Sequence, residues 1–566
     1  MNYRNAILTL VACAAVVALS HVWVVRWDMT DDKRYSLSEA SKTLLKQTDA
    51  PIEVTLLLDG DLNAGFKRLQ KAAEETLDEM GVYGDLKIQR FKDSKIQKSD
   101  VTNGIIDSLG LRPIVIHERE QNGKTAQTTI YPYALMQYKG RLAVVSLLKN
   151  TRGLSGEENL NNSIEQLEYA FMESLHRLQQ TRSPRIAILE GHGEPDERYL
   201  FDLEQSLSQY FYVDRGCIKV QSDNVQSTKE EVQSTKVDVH LLDGYKAVII
   251  ANPETAFSEQ ERFVIDQYIM RGGTVLWVLN GVRFSNDVLQ SEGFTPIIPL
   301  DLGLTDLLFR YGVRVNAALA QDLQCLTIPV NVSSSPSETN LQPMPWTYAP
   351  LLLTSQGSSI TRNIGQVMST FVSPLDAVGG EDGIEKRVLL ATSTATRVTA
   401  TPGEVDLNDM NPDLSSFVYQ YVPVAVSLEG AFASAFAHRM MPDGIVSDEP
   451  IRKSGVKTRQ VVIGSGSIIM NEVQRNQALP MGYDRYTGMQ FSNRDFIINA
   501  VLWLTDSEGL ISLREKTVAL RLLNDKRAHD ERAKVQAVSV ISPVAILALI
   551  GGIVYSIRRR KYAFSS

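Results

Sequence analysis

An uncharged apolar run near the C-terminus, Ala537–Ile557 (AVSVISPVAILALIGGIVYSI), limits every other reading of this chain. Its only ionisable side chain is Tyr555, and Arg558, Arg559, Arg560 and Lys561 follow directly. A helix rises about 1.5 Å per residue, so roughly twenty residues cross the ~30 Å hydrocarbon layer. Inside a helix every backbone N–H and C=O is paired, a service lipid does not provide. Pro543 lies near the start of the run, where a missing N–H costs little, and Gly551-Gly552 is tolerated in a membrane helix. A buried core helix is the competing reading, but core helices of this length usually carry a polar face. The run therefore reads as a membrane span over 537–557, with a cytoplasmic basic tail over 558–566.

A second apolar run, Ala6–Val25, opens the chain, with Trp23 and Trp27 at its far end where amphipathic rings favour the headgroup region. A cleaved signal peptide would have a shorter core and a small-residue site. Leu10-Val11-Ala12-Cys13 also resembles a lipoprotein cleavage box, yet the apolar residues continue well past Cys13. An uncleaved helix over 1–25, behind a short cytoplasmic N-terminus, is the expectation. The Arg558–Lys561 block places both termini in the cytoplasm and the bulk outside it. Lys526, Arg527, Arg532 and Lys534 on the other flank are diluted by Asp530 and Glu531.

The 566 residues exceed what one core organises, so two or three domains are expected between the anchors. A net charge of −8 argues against a nucleic-acid partner, since phosphates call for a basic stripe. With Cys13 in the first apolar run, Cys217 and Cys325 are the one pair available for a disulfide, and the sequence leaves open whether it forms.

Residues 26–150 alternate as a small α/β domain. Strands are expected at Ile52–Leu58, Leu86–Phe91, Pro113–Glu118 and Arg141–Leu148, and a helix over Gly65–Met80 with Phe66, Leu69, Ala73, Leu77 and Met80 on one stripe. A long helix over Gly156–Gln180 connects this domain, through 151–182, to a larger one over 183–509. There, strands at Arg185–Leu189, Lys246–Ala251 and Thr274–Leu279 alternate with helices at Tyr199–Tyr210 and Glu259–Arg271 in a doubly wound pattern. Later strands are expected at Arg310–Val315, Val367–Val372, Arg387–Thr392, Val422–Ser427 and Gln460–Ile463, with a helix over Asn493–Thr505. Ser333–Pro350, with Pro336, Pro343, Pro345 and Pro350, reads as a loop, and VQSTK repeats at 225–229 and 232–236 as a surface excursion. A membrane-proximal segment, 510–536, leads back to the last span.

Leu154-Ser155-Gly156-Glu157-Glu158 resembles an ABC ATPase signature, but the chain has no phosphate loop. Gly123-Lys124-Thr125 has Glu118 where that motif requires glycine, so ATP hydrolysis is excluded. The seven histidines have no metal-type spacing, no CxxC occurs, and Gly464-Ser465-Gly466-Ser467 is out of register with a nucleophile elbow. No cofactor and no metal are expected. The best local candidate is the loop Glu190-Gly191-His192-Gly193-Glu194, which follows the carboxyl end of a strand, where open α/β sheets bind ligands. Its glycines let a backbone approach a bound group, and His192 with Glu194 can share a proton. The same residues equally serve as a simple turn with His192 bonded to neighbouring backbone.

Taken together, DMTDDKRYSLSEASKTLL (28–45), LDGDLNAGFKRLQ (58–70), SGEENLNNSIEQLEY (155–169), GHGE (191–194) and MGYDRYTGMQFSNRDFIINAVLWLTDSEGLISLREKTVALRLL (481–523) resemble the gliding-motility-associated ABC transporter auxiliary family, often described as substrate-binding-like. The resemblance implies a membrane-anchored accessory subunit beside an ABC permease and a separate ABC ATPase, in contact with membrane lipid. A cell-envelope ligand is a further candidate partner. It also implies an α/β fold: a doubly wound glutamine-amidotransferase-like domain, shared with intraflagellar-transport proteins, plus a smaller N-terminal α/β domain, flanked by one transmembrane helix at each end. Enzymes of that fold use a cysteine after a buried strand. Here Cys217 sits near a peripheral strand and Cys325 beyond the core, so the resemblance implies a non-catalytic descendant. The alternative is a periplasmic hydrolase acting on glycan or peptide through the Glu190–Glu194 loop.

Overall fold

The computed structural model describes residues 36–60, 62–90, 109, 111–119, 125–149, 155–180, 183–218, 236–331, 340–407, 412–515 and 531–562. The expected span over Ala6–Val25, and the VQSTK pair apart from Lys236, lie outside these residues. The chain divides into two units, Met1–Thr517 and Val518–Ser566, which are taken separately.

The first unit begins with α1 (Glu39–Lys46), capped by the Ser38 side chain, which accepts from the Ser41 amide. A four-stranded sheet follows, in the order β2 (Leu86–Arg90), β1 (Ile52–Leu56), β3 (Tyr133–Tyr138), β4 (Arg141–Ser146). β1 and β2 are parallel because α2 (Ala64–Tyr83) crosses between them, burying Leu69, Ala73, Leu77 and Met80 at helical spacing. The strand expected at Pro113–Glu118 does not join this sheet. Ile114–Arg119 instead pairs with Thr125–Ile130 as a separate hairpin, and Tyr133–Tyr138 takes the central place.

The helix expected over Gly156–Gln180 is broken. Gln166 ends α3 (Gly156–Glu165) and starts α4 (Leu167–Gln179). Phe171, Met172 and Leu175 of α4 complete the core of the first sheet, together with Leu510 and Leu513 from a short 3₁₀ turn, Leu510–Glu515. Segments from both flanks of the main domain thus fold back onto the N-terminal module. Glu168 fixes the arrangement by accepting from the Ser38 amide and the Ser41 hydroxyl.

The main sheet contains β5 (Arg185–Leu189), β6 (Tyr212–Gly216), β7 (Ala247–Ala251), β8 (Thr274–Val278), β9 (Cys325–Asn331), β10 (Leu341–Thr354), β11 (Glu385–Ala391), β12 (Pro423–Ala433) and β13 (Ser454–Ile463). Their spatial order is β9-β10-β11-β12-β13-β8-β7-β5-β6. The half from β13 to β6 is parallel and the half from β9 to β13 antiparallel. The doubly wound expectation therefore holds for one half, within a mixed α/β architecture of several sheets.

Alternation along the parallel strands builds two cores. Ile186, Ile188, Ile249 and Leu276 face α5 (Glu197–Leu207) and α8 (Asn493–Thr505), while Ala187, Leu189, Val248, Ile250 and Trp277 face α6 (Glu259–Met270) and α7 (Thr305–Tyr311). Trp277, fully buried, donates its indole N–H to the Gln460 side chain at 2.8 Å.

Three further expectations change. Arg310–Val315 is divided: Arg310 and Tyr311 end α7, whose Leu307, Leu308 and Tyr311 bury one face before Gly312, at φ 112°, stops it, and only Arg314–Val315 is strand, paired with Leu375–Asp376. Val367–Val372 is continuous strand only over Val367–Met368; Phe371 adopts a positive φ of 49°, and Val372 forms an isolated bridge to Ala320. The proline-rich stretch read as a loop contains β10. Pro343 and Pro345 lie where β10 pairs only with β9, so their missing N–H groups leave no ladder bond unmade on a second side. Cys217 and Cys325 are both free.

In the second unit α9 (Arg532–Tyr562) carries, over Gln536–Ile557, the one described helix long and apolar enough to cross a membrane. None of that stretch is buried by protein, with Val544, Leu547 and Leu549 more than 60% exposed.

Candidate functional site

α5 and α6 leave the sheet in opposite directions, because β5 is followed outward by β6 while β7 and β8 lie on its other side. The carboxyl ends of β5 and β7 therefore flank a topological switch point, the position where open α/β sheets form their crevice. The Glu190–Glu194 loop leaves β5 there. Gly191 and Gly193 turn it with φ of 113° and 78°, values that side chains rarely adopt. A Cβ on Gly193 would sit 3.2 Å from the Glu254 Cβ, in the loop after β7.

That close approach pins the loop. The His192 carbonyl accepts from the Glu254 amide at 2.7 Å and the Thr255 amide at 2.9 Å, and the His192 amide donates to Glu194 Oε2 at 2.7 Å. The His192 ring, 5% exposed, stacks on Phe257 with centroids 3.8 Å apart. Its Nε2 lies 3.1 Å from Glu261 Oε2 and its Nδ1 3.5 Å from Glu194 Oε1. Among the described residues neither Nδ1 nor Glu194 Oε1 has a hydrogen-bond partner, so this approach is an ion pair only.

Glu261 also completes the N-terminal capping box of α6, accepting from the Ser258 amide at 2.8 Å and the Ser258 hydroxyl at 2.7 Å. Burial on its own would lower the His192 pKa, but the paired Glu194 and Glu261 carboxylates outweigh it and raise the value to about 9. Burial likewise opposes ionisation of Glu261, yet its bonds from His192 and Ser258 bring it down to about 2. Glu194 is lowered too, its bonds with His192 outweighing burial. The cluster is an imidazolium held between two carboxylates.

The five loop residues do not form one constellation. His192 and Glu194 converge with Glu261, whereas Glu190 turns away to Arg215 of β6, accepting from its Nε at 2.6 Å. Arg215 also pairs with Glu204 of α5. The sequence reading missed Glu261 and Phe257. A signal for the first was present, because Ser258-x-x-Glu261 has the spacing of a capping box before an apolar stretch. A groove of about 710 Å³ opens nearby, beyond the carboxyl end of β8, lined in part by Asn280, Asp301 and Asn316 and by Arg262, the neighbour of Glu261. Its size falls in the range of small-molecule sites, about 300–1,000 Å³. His192 does not line it. Among the described residues no group of His, Cys, Asp and Glu is arranged to hold a metal.

Among solved structures, the mmIFT52 N-terminal domain is similar at 15% identity, covering 57% of this chain and 98% of that one, with a TM-score of 0.30. A putative ThuA-like protein from Parabacteroides merdae is similar at 9% identity, covering 61% and 94%, with a TM-score of 0.28. Among curated proteins none matches the chain. Residues 31–137 match the model of a domain of unknown function (DUF7088). Residues 183–500, more than half of the chain and nearly all of the main sheet with its helices, match the model ABC_transp_aux, described as an ABC-type uncharacterized transport system, and the chain belongs to that family.

Proposed function

We propose that this protein is a non-ATPase auxiliary subunit of an ABC transport complex of the gliding-motility-associated kind, scaffolding the complex or engaging its cargo. In this reading it sits in the inner membrane as a two-pass protein, with a helix at each end, both termini cytoplasmic and the α/β body in the periplasm. The family match over 183–500 is the observation that carries the reading. The exposed apolar surface of α9 supports the anchoring. The body is a glutamine-amidotransferase-like scaffold without catalysis.

The state of His192 supports that last point. A general base must hold a free lone pair near the working pH. His192 is buried, stacked, and charged through neutral pH by two carboxylates. A hydrolase acting on glycan or peptide through this loop is correspondingly disfavoured, and the Glu190–Glu194 loop serves to join β5 to the loop after β7. Any ligand contact belongs to the groove beside it.

The test is purification of the tagged full chain from membranes in mild detergent. A permease subunit and an ATPase subunit are expected to accompany it in fixed proportion, and solitary purification would overturn the reading. A His192→Ala, Glu194→Ala double variant that assembles normally yet loses all transport-linked activity would move the balance to the hydrolase.

A further inference from the structure

Among the described residues, five buried polar atoms at the contact between the N-terminal module and the main sheet have no hydrogen-bond partner: Gln166 Nε2 and Oε1, Arg362 Nε, and Arg514 Nε and Nη1. Arg514 and Arg362 touch directly, and the residues beside Arg362 and Gln166 meet at the same junction. Arg514, 1% exposed on the 3₁₀ turn, donates from Nη2 to the Arg362 carbonyl at 3.2 Å and lies over the Tyr169 ring, 5.5 Å from its centroid. Asn363, next to Arg362, reaches Glu165, next to Gln166, at 3.5 Å. Gln166, 3% exposed, stands at the break between α3 and α4.

A buried guanidinium without a carboxylate is a costly object, because the desolvation of a charge is offset only by a partner. Among the described residues neither Arg514 nor Lys149 beside it forms an ion pair. Burial first, and then the Arg514 charge, bring the Lys149 ammonium down to about 8, and burial lowers Arg514 as well. The carboxyl groups that feel these cations are Glu173, which burial pushes toward its neutral form, and Asp495, which is exposed. Four of the five unpartnered atoms are donors, three of them on arginines, and the one acceptor among them is the neutral Gln166 Oε1.

We propose that this contact holds a small oxyanion, phosphate or carboxylate in class, between Arg514 and Gln166, with Lys149 adding charge. A guanidinium offers such an anion several N–H donors in a fixed plane. The bound anion would lock the N-terminal module to the main sheet, since its ligands come from α4, the 3₁₀ turn and the loop at Arg362.

The experiment is thermal unfolding of the full chain in nonionic detergent, titrated with inorganic phosphate or with acetate against chloride at matched ionic strength. At least one oxyanion is expected to raise the melting temperature by about 2–4 °C at saturation. Phosphate also stabilises proteins by exclusion from their surfaces, so Arg514→Met is the control. In chloride it should melt at or above the wild-type temperature, because an unpaired charge has gone. The saturable rise should vanish in it, or its half-saturation should move at least tenfold. Gln166→Leu gives a second variant with no change of charge and should also weaken the rise. A parallel titration with a short-chain phosphatidic acid separates the sources: saturation at lower concentration than phosphate assigns a lipid headgroup, and saturation only by phosphate or acetate assigns a free anion. No saturable rise with any of the three, or an equal rise in Arg514→Met, overturns the proposal.

Discussion

Glu261→Gln isolates the charge at the switch point from the helix cap. Glutamine at this position still completes a capping box, so α6 keeps its N-terminus and only the negative charge is lost. Each tenfold change in proton affinity is about 1.4 kcal/mol, so raising His192 from 6.5 to about 9 makes its proton contribute about 3 kcal/mol to the fold. The fall of Glu261 from 4.5 to about 2 is the same interaction seen from the other partner and is not added to it. With two carboxylates sharing the imidazolium, Glu261 accounts for about 1.5–2 kcal/mol.

The sign follows from the His192 value lying above its ordinary 6.5. The stabilisation is complete below that pH and disappears as pH rises through about 9. The Glu261 contribution is present above 4.5 and is lost as pH falls through about 2, so both are intact near pH 6. Urea unfolding of the full chain in detergent should show Glu261→Gln costing about 2 kcal/mol near pH 6 and less than about 0.5 kcal/mol near pH 10. Isotope labelling of the histidines should show His192 still charged at about pH 8 in the wild type and less than half charged there in the variant. An equal cost at both pH values, or a wild-type His192 that titrates near its ordinary value, would falsify the imidazolium assignment.

Two other substitutions probe the fold around this point. Asp266, fully buried in α6, accepts from the Tyr311 hydroxyl, the Ser434 hydroxyl, the Ala435 amide and the Gln267 side chain; Gln267 keeps a bond to the Arg452 carbonyl, so Asp266→Ala strands three donors at a cost of about 3–5 kcal/mol. Asp266→Asn should recover part of that loss in denaturant unfolding, and no difference between the two variants would contradict the bonding role. Gly193→Ala forces a methyl against Glu254 at a φ of 78°, at about 1–2 kcal/mol, and should speed hydrogen exchange at the Glu254 and Thr255 amides. Unchanged exchange there would show that the turn tolerates the methyl.

The parallel half of the main sheet was legible because its strands are buried on both faces. Ala247–Ala251 and Thr274–Val278 are almost continuously apolar and end at turn residues. The antiparallel half was harder. The prolines of β10 signal a loop locally, and only its pairing with a single neighbour over that stretch permits a strand. Tyr133–Tyr138 escaped notice because its centre, Ala134 to Met136, is buried on both faces and breaks the alternation a half-exposed strand shows. At the site, the position of the Glu190–Glu194 loop after a strand could be read from local pattern. Its meaning could not, because His192 owes its charge to a carboxylate on another helix, brought near only by the sheet order. Sequence spacing carries turns and periodicity, but not which distant side chain neutralises a given group.

The place of β13 in the main sheet has a consequence for how the chain is made. Trp277 of β8 and its partner Gln460 of β13 are 183 positions apart in sequence. While the polypeptide emerges from its N-terminus, β5, β6, β7 and β8 can assemble early, leaving the hydrogen-bonding edge of β8 bare until β13 arrives. A row of unpaired backbone groups on an apolar strand invites pairing with the wrong partner. The antiparallel strands cannot cover it in the interim, since β12 reaches the rest of the sheet only through β13. The last strand made is therefore the keystone of the sheet, and a chain stopped short of it would present an adhesive edge rather than a smaller folded body.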